Sequence, residues 1–196
     1  IAAEAQRIGA LTYERETQKH GLEVVSRLRD RYTTAAAQLG DDSPLVRMAG
    51  AYALSALADE WLTRPDPTAK AEAQVCVDLL CAYIRTPRNY DGDEDRAADT
   101  EIRQTIIRIT TSHLSAVSEP TWGALDLDYT GAVFDGSYKF TGAKFSGSVS
   151  FAGAKFSGSV SFARVEFSAS VSFAGAEFLS GDVSFAGAKF SGGRVS

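Results

Sequence analysis

An aromatic residue returns at a nearly fixed interval from Tyr129 to the end of the chain. The spacings between successive aromatic positions are 5, 6, 5, 6, 5, 6, 5, 6, 5, 7 and 5 residues, so the repeating unit is a pair of 11 residues. The aromatic positions are Tyr129, Phe134, Phe140, Phe145, Phe151, Phe156, Phe162, Phe167, Phe173, Phe178, Phe185 and Phe190. Repetition at so short a period is typical of a solenoid, in which each coil buries its apolar side only against its neighbours.

Each aromatic residue has an apolar partner two positions earlier. The partner is alanine at 132, 143, 154, 176 and 188, valine at 149, 160, 165, 171 and 183, and Leu127 or Tyr138 elsewhere. Because residues two apart in an extended chain point to one face, each unit predicts a very short strand with two inward side chains. Right-handed helical coils also have an 11-residue period, but a segment so rich in Gly, Ser, Val and Phe disfavours a helix. The pattern therefore predicts a β-solenoid with corners of Gly and Ser.

These tandem units of a small residue, any residue and phenylalanine resemble the pentapeptide-repeat family. The resemblance implies a right-handed, quadrilateral β-helix over residues 121–196, with Phe145 and Phe156 as central inward residues and Ala143 and Ala154 as their small partners. Every second unit carries one extra residue, which we expect to be absorbed at a bulge or a wider corner. Twelve aromatic positions at four per coil predict about three coils.

Residues 1–118 are expected to form an α-helical domain, so the fold class is α+β. The predicted elements are helices over 4–39, from Pro44 after an N-cap at Ser43, over 68–85 and over 94–115, with a break at RPDP (64–67). The predicted buried face of the first helix is Leu22, Val25, Leu28, Tyr32, Ala36 and Leu39, and that of the second is Val46, Ala49, Ala53 and Leu57. Gly50, in mid-helix, indicates a close approach between two helices. Apolar runs such as VRMAGAYALSAL resemble HEAT or armadillo helical hairpins.

The whole chain also resembles membrane-anchored pentapeptide-repeat proteins of actinobacteria. The resemblance is carried by YERETQKHGLEVVSRLRDRYTTAAAQLG, SPLVRMAGAYALSALADEW and TWGALDLDYTGAVFDG. It implies hydrophobic spans before residue 1, a stalk at residues 1–20, and a location at the cytoplasmic face of the cell membrane. No run of ~18 apolar residues occurs in the chain itself. We expect the β-helix to continue past residue 196, since the next aromatic position falls due there.

The sequence predicts no catalytic, cofactor or metal site. Of the two histidines, His20 lies among charged residues and His113 lies on the apolar face of the last helix, where a packing role is expected. Cys76 and Cys81 are five apart, so on one helix they point about 140° apart and are expected to be buried free thiols, as in a reducing compartment.

The acidic segment Asp91, Asp93, Glu94 and Asp95 superficially resembles a calcium loop. It has Arg96 at the sixth position, where glycine is needed, and Ile102 at the twelfth, where an acid is needed. The segment is therefore interpreted as a solvated loop whose carboxylates favour the start of the next helix.

The favoured function is a non-enzymatic scaffold or protein-interaction module. Its partners would be proteins of unknown identity, the membrane through the missing N-terminal segments, and other copies bound end to end through the β-helix. The alternative is a DNA mimic that binds a topoisomerase such as gyrase, but residues 121–196 carry 6 acidic and 6 basic side chains, and mimicry needs an acidic column. A third hypothesis, an enzyme with its site outside this sequence, has no support in the residues. No nucleic acid partner is expected.

Overall fold

The computed structural model of the chain describes residues 2–87, 90–115 and 117–196. Four helices come first, α1 (Ala2–Leu39), α2 (Pro44–Leu62), α3 (Ala69–Arg85) and α4 (Asp93–His113). Twelve two-residue strands follow: β1 (Leu127–Asp128), β2 (Val133–Phe134), β3 (Tyr138–Lys139), β4 (Lys144–Phe145), β5 (Val149–Ser150), β6 (Lys155–Phe156), β7 (Val160–Ser161), β8 (Glu166–Phe167), β9 (Val171–Ser172), β10 (Glu177–Phe178), β11 (Val183–Ser184) and β12 (Lys189–Phe190). The predicted order of helices and strands is confirmed.

The helices pack around α2, which contacts α1, α3 and α4. A Cβ atom added at Gly50 would lie 2.9 Å from the carbonyl oxygen of Ala35 in α1, so glycine permits the close approach that the sequence predicted. Ser43 occupies the N-cap position of α2, but its side chain makes no capping hydrogen bond. The predicted start of α2 and its N-cap residue are therefore correct.

Two predicted helix faces need correction. Leu22 of α1 is exposed, because the packing of α1 on the core begins at Val24 and its buried residues are Leu28, Ala35 and Leu39. In α2, Ala49 is exposed and only Leu57 of the four predicted residues is buried. The buried side of α2 instead contains Arg47, Gly50, Ala51, Leu54, Ser55, Leu57, Ala58 and Trp61. Because α2 is apolar on nearly all sides, its periodicity did not identify the inner face.

The strands form four parallel three-stranded sheets, one on each side of a quadrilateral β-helix. Their orders are β1-β5-β9, β2-β6-β10, β3-β7-β11 and β4-β8-β12. Leu127 pairs with Val149, and Val149 pairs with Val171, so one coil takes 22 residues. The predicted four-sided fold is thus confirmed, with two 11-residue units in each coil up to Phe178. Beyond Phe178 one more residue is inserted, so Val183 pairs with Val160, 23 residues earlier.

Up to Phe178 the corners are of two kinds, which explains the alternation of five and six residues. At the tight corner, the Ala143 N–H donates to the Phe140 carbonyl oxygen at 3.0 Å, and Gly142 between them has a φ of +73°. This is the geometry of a type II turn, which needs a positive φ at its third position. The wider corner, such as the one from Phe145 to Val149, takes the extra residue. The four sides are therefore retained despite the uneven spacing.

Equivalent aromatic rings stack from coil to coil along the inside. Phe134 lies 4.6 Å from Phe156, and Phe156 lies 5.0 Å from Phe178, measured between ring centroids. The Phe140, Phe145 and Tyr129 positions start three further stacks of the same kind. These rings and the helix interior belong to one continuous hydrophobic core. The inward assignment of Phe145, Phe156, Ala143 and Ala154 is confirmed, since all four are buried.

Candidate interaction site

The helical block covers the first coil of the β-helix. Helix α3 packs on β1 and α4 packs on β3, and the rings of Tyr129, Phe134, Phe140 and Phe145 are buried beneath them. The side-chain amide of Gln74 on α3 donates to the Asp126 carbonyl oxygen at 2.8 Å and accepts from the Asp126 N–H at 2.9 Å. This pairing satisfies backbone groups that an uncovered coil would leave free.

The chain between α4 and β1 completes the cover. The Leu114 carbonyl oxygen accepts from the Lys144 N–H at 2.9 Å, and the Gly123 carbonyl oxygen accepts from the Ser146 N–H at 2.7 Å. Leu114 and residues 117–125 therefore act as a partial coil that is hydrogen-bonded to the first full one.

His113 lies at the junction between the helices and the β-helix. Its ring stacks on Trp122 with centroids 4.3 Å apart, and its Nε2 lies 3.0 Å from a carboxylate oxygen of Asp59 on α2. The other Asp59 oxygen accepts from Trp122 Nε1 at 2.8 Å. Burial alone lowers the pKa of His113, but the hydrogen bonds to Asp59 and to the Ile109 carbonyl oxygen outweigh it and raise the pKa. The packing role expected of His113 agrees with these contacts.

A second polar cluster, which sequence reasoning missed, ties α4 to the end of α3. Asp99 and Arg103 are buried, with Arg103 Nε donating to Asp99 at 2.6 Å. Arg103 also donates to the carbonyl oxygens of Ile84 and Thr86, at 2.6 and 2.7 Å, so it satisfies the last turn of α3. Although burial raises the pKa of Asp99, the hydrogen bonds from Arg103 and Tyr83 leave it below its usual value. The only sequence signal was the spacing of four residues, which is typical of exposed helical pairs too.

The remaining candidate residues of the sequence are not brought together. His20 is exposed on α1. Cys76 and Cys81 are buried free thiols, as predicted, and burial raises the pKa of each to about 12, which keeps them protonated and unreactive. In the acidic segment, Asp91, Asp93 and Glu94 are exposed, whereas Asp95 in the first turn of α4 is half-buried and lies 3.8 Å from the Arg47 guanidinium. Within the described parts of the chain, no three potential metal-binding side chains converge.

A cleft of about 320 Å³ lies along the seam between the helical block and the second side of the β-helix. Tyr90, Arg96 and Arg103 line it from the helices, and Asp135 and Ser157 line it from the corners of the β-helix. The guanidinium of Arg103 donates to Asp99 and to the end of α3, and that of Arg96 stacks 5.2 Å from the ring of Tyr90. The cationic groups in the cleft are thus engaged with neighbours of their own.

The outer sides of the β-helix carry charges that neutralise one another between coils. On the fourth side, Glu166 lies 3.2 Å from the Lys144 amine and 3.3 Å from the Lys189 amine. On the second side, Lys155 lies 3.5 Å from Glu177. These sides therefore present paired charges rather than a column of one sign.

The last coil of the given sequence carries an exposed apolar surface. We call it the open coil, defined by the rings of Phe178, Phe185 and Phe190, which are 41, 37 and 44% exposed. Each ring stacks on one side only, on Phe156, Phe162 and Phe167 respectively. The outer side of these rings is a flat apolar surface, the form that interaction sites commonly take.

The stacked coils, the stacks of inward aromatic rings and the helical cover together define a capped solenoid repeat protein. Comparison with known families agrees, because residues 129–177 and 151–196 match the family model for pentapeptide repeats (9 copies). The β-helix is therefore a pentapeptide-repeat domain. No curated protein and no solved structure matches the chain in the same comparisons. No helix in the described ranges has both the length and the hydropathy needed to cross a bilayer.

Proposed function

We propose that the chain is a non-enzymatic scaffold that holds two protein-binding surfaces, one on the helical block and one on the β-helix, at a fixed separation. The observation that carries the proposal is the junction, where Trp122 is fully buried and hydrogen-bonded to Asp59. A second link is the ion pair between Arg85 of α3 and Asp128 of β1. Because a shared hydrophobic core joins the helical block and the β-helix, a movement of one half carries the other half with it.

Membrane attachment belongs to the same proposal. The first half of α1 extends beyond the other helices, because its described side chains from residue 4 to 20 are exposed. A helix of this kind serves as a spacer between an anchor and the folded body, at ~1.5 Å per residue. The whole-chain resemblance to membrane-anchored proteins supports this part of the proposal.

Rigidity of the junction is testable by distance measurement between spin labels at Lys70→Cys and Lys155→Cys. Both positions are exposed, and the two native thiols are buried with raised pKa values, so only the introduced cysteines should react. The proposal expects one narrow distance distribution, which broadens in Trp122→Ala and stays narrow in Trp122→Phe. A broad distribution in the parent protein would contradict a fixed separation.

Partner binding by the scaffold is tested with the complete protein, purified from its native membranes. We expect a partner to co-purify in fixed stoichiometry with the parent and to be lost from Trp122→Ala at equal abundance. Purification without a stoichiometric partner, or a partner retained in equal amount by Trp122→Ala, would overturn the scaffold proposal.

The DNA-mimic alternative predicts potent inhibition of gyrase. We expect little or none, because the 6 acidic side chains of residues 121–196 are balanced by 6 basic ones and Glu166 and Glu177 are paired with lysines. A supercoiling assay with micromolar protein distinguishes the two functions. Inhibition at that concentration would favour the DNA mimic.

A further inference from the structure

The outer face of α2 is apolar from Leu45 to Ala56 and has no partner among the described residues. Leu45, Ala49, Tyr52 and Ala56 are all exposed, and their spacings of 4, 3 and 4 residues place them in one stripe. Leu45 is 82% exposed and Tyr52 is 51% exposed. We call these four residues the α2 stripe.

Charge is missing where a solvent-exposed helix normally carries it. Between Pro44 and Ala58 the only charged residue of α2 is Arg47, and Arg47 is buried on the opposite side. Exposed helix faces are usually polar, so an uncharged stripe with a leucine and a tyrosine is typical of a face that packs against another helix.

The sizes of the side chains in the α2 stripe are self-complementary under a twofold axis. In chain order the stripe reads large, small, large, small, with Leu45, Ala49, Tyr52 and Ala56. An antiparallel second copy brings Leu45 opposite Ala56 of the other copy and Tyr52 opposite Ala49. Each large side chain thus meets a small one, as close helix packing requires. The helix dipoles also favour the antiparallel orientation.

We propose that α2 is a homodimerisation helix, which pairs with α2 of a second copy in antiparallel orientation about a twofold axis between residues 50 and 51. The interface is isologous, so each contact occurs twice and assembly stops at two copies. The surface that these four side chains can bury is smaller than the ~800 Å² per partner of a stable interface. The dimer is therefore weak, with a Kd on the order of 100 µM for chains free in solution. On a membrane surface, a raised local concentration would favour it.

The opposed sizes allow a rescue experiment. Leu45→Ala leaves a gap opposite Ala56, and Ala56→Leu causes a clash with Leu45 of the other copy. Because each change occurs twice in the dimer, each single variant should raise the dimer Kd by about tenfold or more. The double variant Leu45→Ala/Ala56→Leu restores a large residue opposite a small one. Its Kd should return to within about threefold of the parent value.

Sedimentation equilibrium from about 10 to 500 µM measures these constants for the full chain of residues 1–196, a range that brackets the expected Kd. All the changes lie at exposed positions, and circular dichroism checks that the fold is unchanged. Val75→Ala, at an exposed valine of α3, is the matched control and should leave the Kd as it was.

Three results would overturn the proposal. The parent chain could stay monomeric over the whole range. Alternatively, association could be insensitive to Leu45→Ala, which would point to the open coil. Finally, both single variants could weaken the dimer without rescue in the double variant, which would exclude the twofold register and indicate a different helix as the natural partner of the α2 stripe.

Discussion

Arg164 stands where the other tight corners of the β-helix have glycine. Its φ is +57°, and the equivalent positions Gly131, Gly142, Gly153, Gly175 and Gly187 have φ values from +64° to +73°. A side chain with a Cβ atom is strained in this conformation by about 1–2 kcal/mol. The corner keeps its shape because Arg164 N–H donates to the Ala186 carbonyl oxygen and the Val165 N–H to the Phe162 carbonyl oxygen, at 2.9 and 3.3 Å.

We expect Arg164→Gly to stabilise the β-helix by about 0.5–1 kcal/mol, because relief of the strain exceeds the entropy that glycine adds to the unfolded chain. Urea denaturation followed by circular dichroism measures the change. Arg164→Ala is the control, since it removes the same charge but keeps the strained Cβ atom. Equal midpoints for the alanine and glycine variants would show that φ is not the cause.

The position of a phenylalanine in its stack of aromatic rings should determine how much it contributes to the stability of the β-helix. Phe156 is fully buried between Phe134 and Phe178, so Phe156→Ala should destabilise the β-helix by about 3–5 kcal/mol. Phe190 is 44% exposed and has one stacking neighbour, so Phe190→Ala should cost about 1–2 kcal/mol. Denaturant titration of both variants tests the difference. A similar loss of stability in the two would contradict a central role for the inward ladder.

At the scale of elements, the β-helix was more predictable than the helices. Each short strand repeats one local rule, with an inward pair such as Ala154 and Phe156, so the sequence carries the same signal many times. Helix α2 gives no such signal, because it is apolar on both its buried and its exposed side, and the predicted face was wrong. The partners of His113 are distant in sequence, since Asp59 lies on α2 and Trp122 follows α4. Only the fold brings these three residues together.

This junction between elements should respond to pH. The pKa of His113 is raised in the folded chain, so its ionic contact with Asp59 stabilises the fold fully below the unfolded pKa of about 6.5. The contribution is lost as the pH rises through the higher pKa of the folded state. The parent should therefore lose more stability than His113→Gln between about pH 6 and 8.

Urea midpoints at several pH values, compared between the parent and His113→Gln, measure this effect. The control is His20→Gln, because His20 is exposed on α1 away from the core. If parent and His113→Gln have parallel pH profiles, the histidine does not act as a charged partner of Asp59.

For the whole molecule, the two ends of the β-helix differ. The first coil lies under the helices, while the open coil presents three rings and the outer edges of its strands. We expect a polypeptide of residues 1–196 to associate end to end through this surface, or to fray beyond about Phe178. Light scattering and amide exchange on this polypeptide measure the two effects.

Association through the open coil is separable from association through α2. Phe185→Ser should weaken the former, and Leu45→Ala should leave it unchanged. A polypeptide of residues 1–196 that stays monomeric, with the amides of its last coil protected from exchange, would contradict the end-to-end prediction.

The 22-residue coil, which holds up to Phe178, has a consequence for the length of the molecule. Residues one coil apart, such as Ser150 and Ser172, lie directly above one another, and parallel strands are spaced by ~4.8 Å. Duplication or deletion of one 22-residue cassette therefore changes the height by one such step and leaves the cross-section as it was. The number of repeats in a gene therefore sets the axial length of the β-helix, which is the distance from the helical cover to the far end.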